Sequence, residues 1–137
     1  MKKSSKVSSS RRTQRRNLYT APSSIRRKIM SCRLSKDLRR SHQVRNLPIR
    51  KNDVVKVLKG KAKNKSGKVI SVYRKRWVIH VDKVTRDKQN GQPVQIPIKP
   101  SNCVIETLHL DKDRKELIKR ISARLEKSKN KGVAKPE

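Results

Sequence analysis

A mainly β fold with flanking helices is predicted for this chain, built on a small five-stranded barrel with a basic N-terminal extension and a C-terminal helix. Three observations predict it. Residues 53–107 carry five short runs rich in Val and Ile, at 54–58, 68–73, 77–81, 94–98 and 103–108. Gly60, Gly67, Asn90-Gly91, Pro93, Pro97 and Pro100 punctuate them, and the Asn90-Gly91 pair signals a tight hairpin turn requiring positive φ. Only 31% of residues are hydrophobic and 2% aromatic, so the core is small and aliphatic. Closing the sheet buries one face of each strand while limiting exposed edges.

Charge divides the chain further. Residues 1–52 hold 17 Lys and Arg against Asp37 alone, a net of +16, and residues 53–137 carry a net of +14. Residues 1–21 read as a disordered basic arm, because the first sixteen positions combine cations and five Ser with almost no apolar surface to offset ordering entropy. Arg11, Arg12, Arg15 and Arg16 repel one another there until an anion comes between them. Residues 22–52 predict an extension of two short helices. Ser23 or Ser24 would cap the first, which carries Ile25, Ile29 and Met30, and Ser35 would cap the second, through Leu38. Arg26, Arg27, Lys28, Arg39 and Arg40 occupy their remaining faces, and Arg33, Arg45 and Arg50 lie between and beyond them. The barrel takes residues 53–108. A C-terminal helix follows over residues 109–128, capped by Asp111, with acids early and Lys119, Arg120 and Arg124 late, matching the helix dipole. Leu117, Ile118, Ile121 and Leu125 give it an apolar stripe that docks on the barrel, a neighbouring protein or RNA. Residues 129–137 read as a disordered tail.

A formal net charge of +30 in 137 residues calls for a polyanion. Nucleic acid fits, because a dense phosphate lattice rewards many weak cationic contacts through counterion release. Membrane insertion is not expected: no stretch approaches about 18 consecutive apolar residues, and the N-terminus lacks the apolar segment of a secretory signal. The chain is accordingly expected inside the cell. Cys32, Cys103, His42, His80 and His109 lack metal-ligand spacing, so plain thiols and no metal are expected. No nucleotide loop, nucleophile–base pair or carboxylate cluster suggests an enzyme, a cofactor or a small-molecule substrate. Tyr19, Tyr73 and Trp77 are the whole aromatic supply, too few for a module that reads bases by stacking. Trp77 opens the alternation Trp77, Ile79, Val81 and is expected in the core. Tyr19, in the Arg-rich arm, is the better stacking candidate.

The most informative stretch is DVVKVLKGKAKNKSGKVISV over residues 53–72. Two valine-rich strands flank a loop in which Lys59, Lys61, Lys63, Lys65 and Lys68 alternate with small residues, and Gly60 and Gly67 permit a tight backbone and close approach to phosphate. Arg74, Lys75 and Arg76 form a second cationic turn. The stretch resembles the KOW motif, with Asn64 at a position where that motif usually has glycine. Asn tolerates positive φ best after glycine, so the turn is expected to be kept.

A KOW motif also occurs in transcription elongation factors, and charge alone would suit a DNA-compacting protein. The flanks narrow the choice. APSSIRRKIM over 21–30, VRNLPIRK over 44–51 and LDKDRK over 110–115 agree in order and spacing with the eukaryotic form of the large-subunit ribosomal protein family numbered twenty-four universally and twenty-six in the older eukaryotic scheme. The resemblance implies an SH3-like barrel seated on large-subunit rRNA, including 5.8S, beside neighbouring ribosomal proteins near the polypeptide exit tunnel. It implies a non-catalytic scaffold without cofactor, working on the cytosolic ribosome after assembly in the nucleus or nucleolus.

Overall fold

A computed structural model describes residues 4 and 7–133. Four helices, α1 (Arg11–Thr20), α2 (Ser23–Ile29), α3 (Lys36–His42) and α4 (Lys112–Val133), accompany eight strands. These are β1 (Ser31–Leu34), β2 (Asn46–Pro48), β3 (Val54–Val57), β4 (Ser66–Tyr73), β5 (Val78–Val81), β6 (Thr85–Asp87), β7 (Pro93–Gln95) and β8 (Cys103–Thr107). The fold is therefore mixed α/β.

All five anticipated strands are present, as β3, β4, β5, β7 and β8, but they do not close into a barrel by hydrogen bonding. Six strands form one open sheet in the order β2-β1-β8-β3-β4-β5, and β6 and β7 pair separately. The physical reason lies in residues 22–52, which supply two strands as well as helices. β1 pairs parallel with β8 and antiparallel with β2, so the flank of β8 that faces away from β3 carries further strands. At the other end β5 bends toward the segment after β7, where Ile79 and Ile98 exchange backbone hydrogen bonds of 2.8 and 3.0 Å.

The core is aliphatic, as composition dictates. Val55, Val57, Val69, Ile79, Val81, Val84 and Ile105 pack with Cys32, Leu34, Leu47 and Cys103 contributed by or facing the extension. Residues 22–52 thus share one core with the strands that follow. Burial pushes the Cys32 thiol up to about 12 and the Cys103 thiol to about 11, which keeps both neutral. Cys32 donates to the Cys103 carbonyl at 3.0 Å.

Helix caps follow the sequence in two places out of three. Ser35 accepts from the Leu38 amide at 3.3 Å, and Asp111 accepts from the Arg114 amide at 2.9 Å. Ser23 and Ser24 do not cap α2, because the helix begins one residue earlier than a serine cap requires and Pro22 occupies the cap position. Met30 is buried while Ile25 and Ile29 are exposed. Residues 11–20 are helical where composition predicts an arm without structure. Arg, Gln and Leu are good helix formers, and no burial is needed: no α1 residue is buried, and Gln14 ties the helix start to the Ser8 carbonyl at 2.7 Å. The helix α4 extends to Val133, past the expected end at 128. The remaining parts of the arm and tail predictions, at 1–3, 5–6 and 134–137, lie outside the described residues.

Gly67 has a role other than approach to phosphate. A Cβ there would stand 2.4 Å from the Asp82 carbonyl oxygen and 3.0 Å from Val81 Cγ1, so the missing side chain lets β4 pass against the end of β5. Backbone cannot swing aside as a flexible side chain can. Gly67→Ala is expected to destabilise by about 1–3 kcal/mol, read as a lower urea midpoint; an unchanged midpoint would show that the strands part without cost.

Candidate nucleic-acid interface

The lysine loop is held from below and displays its charges upward. Ala62 is buried at its centre, while Lys59, Lys61, Lys63, Lys65 and Lys68 are exposed. Asn64 donates to the Val57 carbonyl at 2.9 Å, Val57 donates to the Lys65 carbonyl at 2.9 Å, and Leu58 donates to the Asn102 carbonyl at 2.8 Å. Gly60 sits at φ +97° and Asn64 at φ +67°, so asparagine keeps the left-handed turn. The loop is a backbone-braced platform rather than a slack turn.

Three concavities outside α1 carry cations on their walls, and a further one, on α1, is lined by Arg11, Arg12 and Arg15. The first, about 580 Å³, lies between this loop and the β6–β7 hairpin, with Lys59, Lys61, Arg86, Lys88 and Lys99 around it. The second, about 700 Å³, runs between α2 and α4 and is lined by Arg27, Lys28, Arg120 and Arg124. The third, about 720 Å³, gathers Arg27, Arg50, Lys51, Arg74 and His109. Among the described residues no Asp or Glu lines any of them. Such surfaces repel one another until an anion occupies them.

Arg26 and Arg50, both expected at phosphates, are engaged within the protein. Arg26 donates to the Ala21 carbonyl at 2.7 Å, the Tyr19 carbonyl at 2.6 Å and the Lys75 carbonyl at 3.4 Å, and its guanidinium lies 5.1 Å from the Trp77 ring centroid. It braces the end of α1 against the β4–β5 turn. Trp77 is half-buried in that turn at φ +61°, one residue before β5 begins. Arg50 pairs with Asp111. Desolvation opposes ionisation of Asp111, but the Arg114 amide and then the Arg50 guanidinium outweigh it and hold the carboxyl below its ordinary value.

The other expected contacts remain available. Arg11, Arg12, Arg15, Arg16 and Tyr19 are exposed on α1, where Arg12, Arg15, Arg16 and Tyr19 share one helical stripe. Tyr19 is 63% exposed, which leaves its ring free to stack. Arg33, Arg40, Arg45, Lys75 and Arg76 are exposed, Arg39 is half-buried, and Arg74 holds the Ser23 hydroxyl at 2.9 Å. Sequence reasoning missed Arg86, Lys88, Lys99, Arg120 and Arg124, whose only signal was their charge.

It also missed the centre of the scaffold. Asp53 and Arg114 are buried at 0% and 1% exposure, and form a two-pronged pair with Nη1–Oδ1 2.5 Å and Nη2–Oδ2 2.9 Å. Arg114 also donates to the His109 and Pro48 carbonyls, and Asp53 accepts from the Arg50 and His109 amides, each at 3.0 Å. One ion pair thereby ties β2, the turn before β3, the exit of β8 and the start of α4. Ile118 is buried in the core and Ile121 packs on it, so the first turns of α4 dock on the chain's own sheet.

Comparison with known proteins gives the family of the chain. The family described as the L26 ribosomal proteins of eukaryotes together with their archaeal counterparts matches residues 8–121. Large ribosomal subunit protein uL24 of Schizosaccharomyces pombe is 48% identical over 126 residues, covering 92% of this chain and all of the relative. The uL24 protein of Dictyostelium discoideum is 52% identical over 120 residues, 88% of this chain and 86% of its own length. The uL24A protein of Saccharomyces cerevisiae is 50% identical over 125 residues, 91% of this chain and 98% of its own. With the match spanning both the cationic extension and the lysine loop, the chain belongs to the family of eukaryotic L26 ribosomal proteins and their archaeal counterparts.

Proposed function

We propose that the protein is a structural, non-catalytic constituent of the large ribosomal subunit that binds large-subunit rRNA, 5.8S included, through phosphate contacts. It supports subunit assembly in the nucleus or nucleolus and then lies near the polypeptide exit tunnel of the cytosolic ribosome, beside other ribosomal proteins. The observation that carries this reading is the set of three cation-lined concavities outside α1 without a carboxylate among the described residues, on a chain of a ribosomal family. Phosphate contacts of this kind position a protein on RNA without reading sequence. The relatives' names, large ribosomal subunit protein, support the assembly assigned.

The lysine loop is the sharpest place to test it. Lys61, Lys63 and Lys65 are exposed, and the hydrogen bonds bracing the loop are backbone ones, so changing all three to Ala leaves the fold intact. Affinity for an rRNA fragment at about 0.15 M salt should fall about a hundredfold, with an unchanged melting curve. Filter binding that returned wild-type affinity for the triple variant would make the loop a solvated turn. On a sucrose gradient of native lysate the full chain should migrate with large subunits; migration with chromatin or polymerase fractions would overturn the ribosomal reading.

A further inference from the structure

The concavity between the lysine loop and the β6–β7 hairpin shares an apolar floor with the groove between α2 and α4, where Leu117 and Ile121 lie, but it alone of the three has a buried, unpartnered polar atom on a lining residue among the described residues. Val94, 41% exposed, and the neighbouring Ile96 and Pro97 present apolar surface inside a ring of five cations. In the hairpin register Val94 stands opposite Arg86, so apolar and cationic groups meet side by side. A duplex backbone has no use for such a floor, since phosphates are satisfied at the rim. Gln95, also in the wall, keeps a buried side-chain oxygen that no donor reaches. Buried polar atoms are nearly always hydrogen-bonded, so an orphan beside a cleft marks a place where a partner is missing.

An occupant must therefore combine an apolar face, an anionic margin and a hydrogen-bond donor. An aliphatic protein side chain would cover the floor and leave the five cations unanswered. An unpaired nucleotide has all three features: a flat base, flanking phosphates, and amino or imino donors on the base edge. The cleft, at about 580 Å³, falls in the size range of sites that enclose small ligands.

We infer that this cleft captures one base extruded from a single-stranded segment of rRNA. The base lies against Val94 and Pro97, its phosphates meet Lys61 and Arg86, and its edge supplies the donor that Gln95 lacks after a turn of the terminal amide. This reading rests on the rRNA-binding function proposed above and adds a local, base-contacting site to it.

Val94→Gln tests it. The substitution fills the floor with a polar chain at an exposed strand position and leaves the net charge unchanged, so phosphate attraction is untouched. Dimethyl sulfate and carbodiimide probing of an rRNA fragment would be compared with wild-type and variant full-length protein at saturation. Wild type should shield one unpaired base, and V94Q should restore its reactivity at least about fivefold while the flanking phosphates stay protected. A fragment in which no unpaired base is shielded, or in which both proteins shield it equally, overturns the inference. So does a cleft covered by another protein in the assembled subunit with the nearby bases reactive. Failure of wild type to bind the fragment at all is a separate result, and defeats the rRNA reading itself.

Discussion

Replacing Arg114 by Met should destabilise the free protein by about 3–5 kcal/mol, because the change strands the Asp53 carboxylate in the core. For a chain of this size that is a fall in melting temperature of about 10–20 °C. The Asp53 carboxylate would keep its two backbone donors but lose the only cation hydrogen-bonded to it among the described residues, and the His109 and Pro48 carbonyls would lose a donor each. Arg114→Lys should recover part of the loss and no more, since an ammonium cannot match the two carboxylate oxygens and two carbonyls at once. The double variant Asp53→Leu, Arg114→Met should be less damaged than the sum of the two single changes, since no bare charge remains. Calorimetry that found R114M within about 3 °C of wild type would show that water or a rearranged neighbour satisfies Asp53. The consequence reaches the candidate interface, because the same pair anchors the turn carrying Arg50 and Lys51 and the start of the helix carrying Arg120 and Arg124.

Local pattern made the central strands and the C-terminal helix legible. Alternating Val and Ile, glycine breaks and a capping aspartate act over a few residues, so β3, β4, β5 and β8 appear where the sequence places them. Three strands escaped for local reasons as well, and β6, Thr85-Arg86-Asp87, has no apolar residue to mark it. β1 is four residues long and lies between two helices, with Cys32 and Leu34 buried and only Arg33 between them to mark the alternation. β2 contains Pro48, which argues against a strand unless the strand lies at a sheet edge, as β2 does. The Asp53–Arg114 pair was illegible in principle: 61 residues separate the partners, and among so many arginines nothing in the sequence distinguishes the one that is buried. The loop lysines were legible as an exposed cationic cluster because they alternate within one motif. Arg86, Lys88, Lys99, Arg120 and Arg124 reach the same kinds of surface only through the folding of the hairpin and of α4. The arm was misread because burial was taken as the condition for order, whereas a helix satisfies its backbone locally.

Affinity for the rRNA fragment should collapse with salt. If roughly ten phosphates are neutralised, the slope of log K against log salt is about −7 to −9, the lower figure holding for single strands and the higher for duplex. Between about 0.05 and 0.2 M salt this amounts to a loss of about 10⁴- to 10⁵-fold. The structure supports a number of that order: the three concavities and the exposed arginines of α1 offer more cations than ten, while Arg26 and Arg50 are committed to internal partners. The triple lysine variant should flatten the slope by about 2 to 3, one unit or slightly less per phosphate released. Val94→Gln should leave the slope where it is, since it changes no charge. A wild-type slope shallower than about −3 would remove the electrostatic account altogether and leave shape and apolar contact to explain the binding. A steep wild-type slope that the triple variant did not change would keep that account and move it from the lysine loop to α1 and the grooves beside α2 and α4.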